Sequence, residues 1–498
     1  MIMKRKAVAG LILGTVLAGC TGMTALAESA PPSTIADFAA ESLIKSDGTY
    51  WIWGGNHPVP TQVPGLSDVI ASFDDGIVMK KDLSVWHWTF TNTAVATSAV
   101  IPKLRELSAV FDTGHELLAL EQDGDVYAIP RTDEGQLDWE AIAPVDNLRN
   151  VVAVTSYYSN SDGNQVLLFL KNDGTLWSSD RDLESISAVK TAGKVKSAAG
   201  NYALLADGTV QVFPASENAS WASSDPAAVT LMQPLKDIQL IRTDGYSNAA
   251  VDKRGRVWFW GDTRTGFSDG TVLHEQKTPV LLNGVGHVKE VFLVERSLIA
   301  WTENGEIYET SIDRESLPAD AKFRLLAENI VKVEAGSRHI IMQRNNGAML
   351  GWGINKLAEQ GTGGYDYMHD APIAMQPPVT VQLNGQTVAL SNGVIIRNAQ
   401  AFIPMRSIFE QLGAKVTWDA NIKTVTMKRQ TGAADDAAAT IAVDFNKGTT
   451  TVGGKTAQLE TEPFILSDTA YVPLRVISES LGAHVEWIKE DNRIAITK

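Results

Sequence analysis

The chain offers eight histidines, one cysteine and an excess of carboxylates as its chemically versatile groups, and their spacing decides what they can do. His57, His87, His115, His274, His287, His339, His369 and His484 are scattered, with no two at metal-ligand spacing. No His-Glu-x-x-His pair, Gly-x-Ser-x-Gly elbow or phosphate-cradling glycine loop is present. Tyr158 to Asn164 has the polar look of a calcium loop. Its first and twelfth ligand positions, however, are Tyr158 and Phe169, where charged oxygen donors are required. The sequence therefore predicts no catalytic residue, no metal and no cofactor. Glu116, Asp162 and Asp370 are carboxylates that a ring would have to bring face to face before they could act. Loop aromatics are a different resource, because exposed Tyr and Trp on rigid scaffolds anchor partners. By loop position the candidates are Trp139, Tyr157, Tyr158, Trp221, Tyr365 and Tyr367.

What would position such loops is a repeated hairpin. Lys45-Ser-Asp-Gly-Thr-Tyr-Trp-Ile-Trp53 returns as Asn172-Asp-Gly-Thr-Leu-Trp177, Ala206-Asp-Gly-Thr-Val-Gln-Val-Phe213 and Lys253-Arg-Gly-Arg-Val-Trp-Phe-Trp260. Further copies centre on Leu83, Gly124, Gly305 and Gly347, so Leu83 alone replaces the turn glycine. Asp-Gly and Asn-Gly accept the positive φ of a tight turn, and the flanking alternation buries one strand face. The mean period of about 43 residues suits four strands per unit. One such sheet cannot bury its own apolar face, so neighbours must stack around an axis. Trp51/Trp53, Trp86/Trp88 and Trp258/Trp260 stand two apart on one strand face and are expected to pack between sheets. Ile35 to Ala40 reads as the opening strand. The segments 157–164, 216–225 and 262–276 read as polar loop insertions, and Gly361 to Pro378 as a linker that ends the ring.

The pattern apolar–Gly–His–apolar–Asp-Gly–Val–aromatic–x–Trp-Gly–x–Asn resembles the RCC1-like propeller repeat. It is carried here by Gly114-His115, Trp53-Gly54-Gly55-Asn56, Trp260-Gly261-Asp262 and Trp352-Gly353-Ile354-Asn355. The resemblance covers about two thirds of the chain and implies a β-propeller of seven or eight blades over 34–376. His115 and His339 fall on the repeat's own His position, which implies a structural, hydrogen-bonded role. Secreted members of the group include β-lactamase inhibitory proteins.

A second duplication follows at an offset of 69 residues: Phe402 to Trp418 aligns with Tyr471 to Trp487. Pro404/Pro473, Arg406/Arg475, Glu410/Glu479, Gly413/Gly482 and Trp418/Trp487 coincide. Each copy reads as a short helix feeding a strand that ends in Trp, with an i, i+4 Arg–Glu pair on the helix. This region, 379–498 with repeats at 379–428 and 440–498, is similar to the copper amine oxidase N-terminal-like domain. That is a small α/β accessory module, frequent on surface proteins of Gram-positive bacilli. The copper and quinone of those oxidases belong to another domain, and His484 is the single histidine here.

The first 27 residues read as a secretory signal: a Lys4-Arg5-Lys6 start, an apolar stretch to Gly19 and Ala25-Leu26-Ala27 before Glu28. Leu17-Ala18-Gly19-Cys20 resembles a bacterial lipobox, making Cys20 the candidate lipidation site and the mature protein extracellular. Lipidation and ordinary signal cleavage both remain open. With a net charge of −15, a phosphate backbone is repelled, so nucleic acid is an unfavourable partner. The sequence thus points to a non-catalytic extracellular binding protein engaging a protein or cell-wall polymer. A propeller-type lyase or hydrolase acting on carbohydrate is the alternative.

Overall fold

A computed structural model describes residues 34–90, 96–159, 164–214, 229–267, 270–429 and 440–498. The signal segment, Cys20, Asp162 and Trp221 lie outside them. The chain is mainly β. Eight four-stranded antiparallel sheets follow one another, each built from four consecutive strands in up-and-down order. Sheet 1 opens with Ile35–Phe38, as expected, and closes with His57–Gln62. Sheets 2 to 8 span 69–105, 107–144, 151–188, 195–231, 238–282, 288–327 and 330–374.

The repeated residues explain the repeated turn. Asp47 Oδ1 accepts from the Thr49 amide and hydroxyl (2.9 and 2.6 Å), and Thr49 Oγ1 in turn accepts from the Trp51 indole at 3.0 Å. Asp82–Ser84–Trp86 and Asp173–Thr175–Trp177 repeat this relay. A lysine lies over the outer indole face, Lys80 at 3.8 Å from Trp86 and Lys171 at 3.9 Å from Trp177. The turn carbonyl then joins one sheet to the next: Gly48 O accepts from Val69 N, Gly124 O from Val151 N and Gly208 O from Ile238 N. At Gly124 (φ 90°) a Cβ would stand 2.5 Å from Asn150 Cα, so glycine is required there for space as well as angle. Leu83 adopts the same left-handed conformation (φ 65°) and keeps the joint by accepting from Glu106 N, at a backbone cost that glycine avoids.

Separate apolar clusters fill each junction between successive sheets, and one more joins sheet 8 to sheet 1. The ring therefore closes. The tryptophan pairs sit where expected: Trp51 and Trp53 at the closing junction, Trp86 and Trp88 between sheets 1 and 2, Trp258 and Trp260 between sheets 5 and 6. At the closing seam Lys332 of sheet 8 pairs with Asp37 and donates to Phe38 O at 2.9 Å. His339 Nε2 donates to Ala40 O at 3.1 Å. Gly336 makes room for that imidazole, since a Cβ there would lie 2.4 Å from His339 Cε1. His339 is thus the buried structural histidine the repeat implied. His115 is exposed instead, its Nε2 accepting from Arg181 at 3.0 Å.

Two expectations are corrected. The supposed linker at Gly361 to Pro378 contains strand Met368–Ala374, the outer strand of sheet 8. Its glycines belong to the preceding loop, Pro372 lies within this outer strand, and Pro377 and Pro378 follow it. The insertion at 262–276 is largely strand: Val257–Thr265 and Val272–Leu282 stay paired out to Thr265 and Val272, forming an overlong hairpin.

In the C-terminal region, helices Arg406–Phe409 and Leu474–Ser480 feed strands Ala414–Asp419 and His484–Ile488, as the duplication requires. Strands Gln400–Pro404 and Thr469–Pro473 pair antiparallel about Ile403 and Val472, a pseudo-twofold relation between the copies. Arg475 approaches Glu479 at 3.9 Å, while the Arg406 side chain lies outside the described atoms. Strand His57–Gln62 of the ring docks on this region. Val59 packs with Ile395, Phe402 and Tyr471; His57 Nδ1–H donates to Asn392 Oδ1 at 2.7 Å; and Gly393 N donates to Thr61 Oγ1 at 2.8 Å.

Two buried histidines, His57 and His339, hold these two seams, and burial depresses both imidazoles below the ordinary range. The unfolded chain binds protons near pH ~6.5 and the folded chain only at lower pH. Their contribution is complete above that pH and is lost as pH falls below it. The melting temperature of the wild type should accordingly drop more between pH 7 and 5 than that of His339→Gln. Parallel curves would remove His339 from the seam's pH response.

Candidate binding face of the ring

Up-and-down strand order sends the Asp-Gly turns to one face of the ring. It sends the loops between first and second, and between third and fourth, strands to the other. On that loop face a cavity of about 700 Å³ opens, lined by residues of sheets 8, 1, 2, 3 and 4. Ala335–Ser337 and Val152–Val154 form part of its wall, with Phe73, Trp88 and Phe111 supplying aromatic surface. Ser42 and Ser72 lie 3.4 Å apart, oxygen to oxygen, beneath it. Among the described residues its acids are Glu41, Asp74 and Asp75, and no Lys, Arg or His lines it. Gly54 permits the close approach of Glu41, whose Oε2 would lie 3.1 Å from a Cβ at that position.

These carboxylates repel one another. Burial, then Glu359 and Asp74, push the Glu41 carboxyl upward. Burial and Asp112 raise Asp75 against the opposing pull of Arg131. Further round the face, acids and arginines are matched: Arg131–Asp112, Arg264–Asp244, Arg296–Asp313 and Arg338–Glu295 pair at 2.8–3.2 Å. Such exposed pairs contribute little stability individually, and their main effect is to fix loop positions.

The aromatic candidates divide. Trp139 stacks on His87 at 4.7 Å. Tyr157 stacks on Phe213 at 6.4 Å, and burial pushes its hydroxyl up to about 12. Tyr365 donates its hydroxyl to Gly55 O at 3.0 Å. These three are half-buried and already partnered within the protein. Tyr158 and Tyr367 are 59% and 61% exposed, Lys356 Nζ lying 5.4 Å from the Tyr367 ring. They belong to sheets 4 and 8, four steps apart around the ring, so the fold does not bring them together. Glu116 is half-buried on the loop face, raised by burial and by Asp182. Asp370 lies on the outer strand of sheet 8, where its carbonyl accepts from Trp352 Nε1, away from the mouth.

Sequence reading missed two features. Asp74-Asp75-Gly76 is a turn, as its composition says, but it also edges the cavity. Phe267, at the tip of the overlong hairpin, is 73% exposed beneath the Arg296 guanidinium at 5.2 Å. Its loop position was the available signal for Phe267; nothing in residue spacing joins Glu41 to Asp74. Among the described residues, no three Asp, Glu, His or Cys side chains stand close enough to hold a metal ion.

The chain is 23% identical over 343 residues to the human E3 ubiquitin-protein ligase HERC2, covering 64% of this chain. Mouse HERC2 matches over the same extent. The chain spans about 6% of the length of these relatives. Among solved structures, yeast RCC1 (Prp20) bound to Kap60 is similar at 15% identity and a TM-score of 0.39, covering 73% of this chain and 91% of that one. PorZ, a surface component of the type-IX secretion system of Porphyromonas gingivalis, is similar at 12% identity and a TM-score of 0.36, covering 86% and 53%. Residues 382–496 match the family model of the copper amine oxidase N-terminal domain. The chain therefore joins repeats similar to those of RCC1-like propellers to a region matching the copper amine oxidase N-terminal domain.

Proposed function

We propose that this protein is an extracellular, non-catalytic binding protein of a Gram-positive bacterium. Its eight sheets act as an eight-bladed propeller whose loop face holds another protein or a cell-envelope polymer. The small α/β C-terminal domain acts as an accessory module, and Cys20 carries a lipid anchor. The observation that carries this reading is the 700 Å³ mouth on the loop face, with Phe267, Tyr158 and Tyr367 exposed on surrounding loops. Concave sites with aromatic walls and a few polar groups are the usual form of a recognition site.

The test is capture of partners from envelope and secretome extracts, read by mass spectrometry. A Phe267→Ala/Tyr158→Ala/Tyr367→Ala chain should lose roughly tenfold or more of the capture while melting like the wild type, because all three rings are solvated. Unchanged capture would move the binding surface off this face. Turnover of wall or capsule polysaccharide by the wild type would favour a carbohydrate-acting enzyme instead. In the producing cell, Cys20→Ala should shift the protein from membrane to medium.

A further inference from the structure

The cavity's lining specifies what it can accept. Its walls are aromatic and apolar, its edge carries Glu41, Asp74 and Asp75, and no basic side chain among the described residues lines it. The nearby arginine, Arg131, lies outside the lining; it pairs with Asp112 at 3.0 Å and offsets only part of the charge at Asp75. Resting on the binding role proposed above, we infer that the mouth receives a cationic side chain, lysine or arginine, presented by a basic segment of a partner protein.

Three physical points carry this. An ammonium or guanidinium on an apolar stem matches the layout, because the stem packs on Phe73 and Phe111 while the charge meets carboxylates and the Trp88 ring. A bare metal ion does not fit, since the carboxylates sit on loops of two different sheets and do not converge to ligating spacing. An anionic polymer would meet uncompensated negative charge. Burial first, and neighbouring acids second, raise the Glu41 and Asp75 carboxyls, and an entering cation would offset both effects. A volume of about 700 Å³ leaves room for more than one side chain, consistent with an extended basic segment crossing the mouth.

The experiment measures fluorescence anisotropy of a labelled alternating Lys-Ala octapeptide on the full chain at physiological ionic strength. Matched peptides carry norleucine or glutamate in place of lysine. The decisive variant is Asp74→Asn/Asp75→Asn, which removes two charges at constant size and keeps a residue type that tolerates the positive φ of Asp75 (59°). Asp133→Asn/Glu134→Gln removes two charges from the exposed loop at 131–137, outside the cavity lining. The expected result is a loss of roughly tenfold or more for the first variant and less than about twofold for the second. Glu41→Gln, on the other sheet, should weaken binding in the same direction. The norleucine and glutamate peptides should not bind measurably. Equal losses in both double variants would assign binding to bulk negative charge and overturn the inference, as would a lysine peptide that fails to bind the wild type. If envelope capture persists while the peptide arm fails, the cationic ligand is wrong and the binding role stands. If the loop-face aromatic variant leaves capture intact, binding lies off this face and the inference falls with it.

Discussion

Trp51→Ala should lower stability by about 3–5 kcal/mol, the range for emptying a fully buried large aromatic site. Trp51 is 1% exposed and fills the junction of sheets 8 and 1 with Phe38, Leu43, Ile341, Met349 and Met375. That junction is where the first and last sheets meet without a covalent link. Besides packing, it is crossed by hydrogen bonds and an ion pair, among them Lys332–Asp37, His339–Ala40, Trp53–Glu359 and Tyr365–Gly55. An empty site there weakens the one contact that the chain does not reinforce by continuity. Trp177→Ala is the comparison. Its indole is half-buried, receives Lys171 and donates to Thr175 at 3.3 Å, within a junction joined by consecutive chain. A loss of about 1–2 kcal/mol is expected for that change. Urea midpoints of the two variants check the difference, and equal shifts would show that the seam is no weaker than the other junctions.

Gly393→Ala should detach the C-terminal domain from the ring without unfolding either. A Cβ at Gly393 would stand 2.2 Å from Pro60 O and 2.9 Å from Val59 Cγ2, both on a ring strand. Neither neighbour is the end of a flexible side chain free to turn away, since Pro60 O is backbone and Val59 is fully buried. Overpacking of this kind costs about 1–3 kcal/mol, and it falls on the contact that also carries the Gly393–Thr61 and Asn392–His57 hydrogen bonds. The expected readout is new proteolytic cleavage between the last ring strand and Thr380, with ring and C-terminal melting separated where the wild type melts as one. A single wild-type-like transition would mean the interface adapts to the added methyl group.

The ring was legible because its cause is local. Asp47-Gly-Thr-x-Trp51 encodes a turn, a hydroxyl relay and a tryptophan within five residues; the turn recurs in every copy, and the full relay recurs at Trp86 and Trp177. Leu83 was visible as an exception, and it takes the same left-handed backbone at a cost. The C-terminal duplication was legible for a similar reason, since an offset of 69 residues preserves helix, glycine and tryptophan together. The docking of Gly393 on Pro60 was not legible, because it joins residues hundreds of positions apart through shape alone. The cavity was hidden for another reason. Asp74-Asp75-Gly76 is sufficient as a turn, so its composition gives no hint that the turn also edges a mouth. Loop position alone does not tell exposure from packing: Trp139, Tyr157 and Tyr365 each have a partner that the sequence does not reveal.

Among the described residues no sheet borrows a strand from its neighbour, and the thirty-two ring strands are grouped in consecutive fours. Each wedge is therefore a self-contained cassette, and gain or loss of one whole cassette leaves the threading of the others untouched. Circumference in such a design is set by how the wedges splay rather than by a knot or latch in the chain. Gene duplication can then alter the size of the mouth in single, foldable steps.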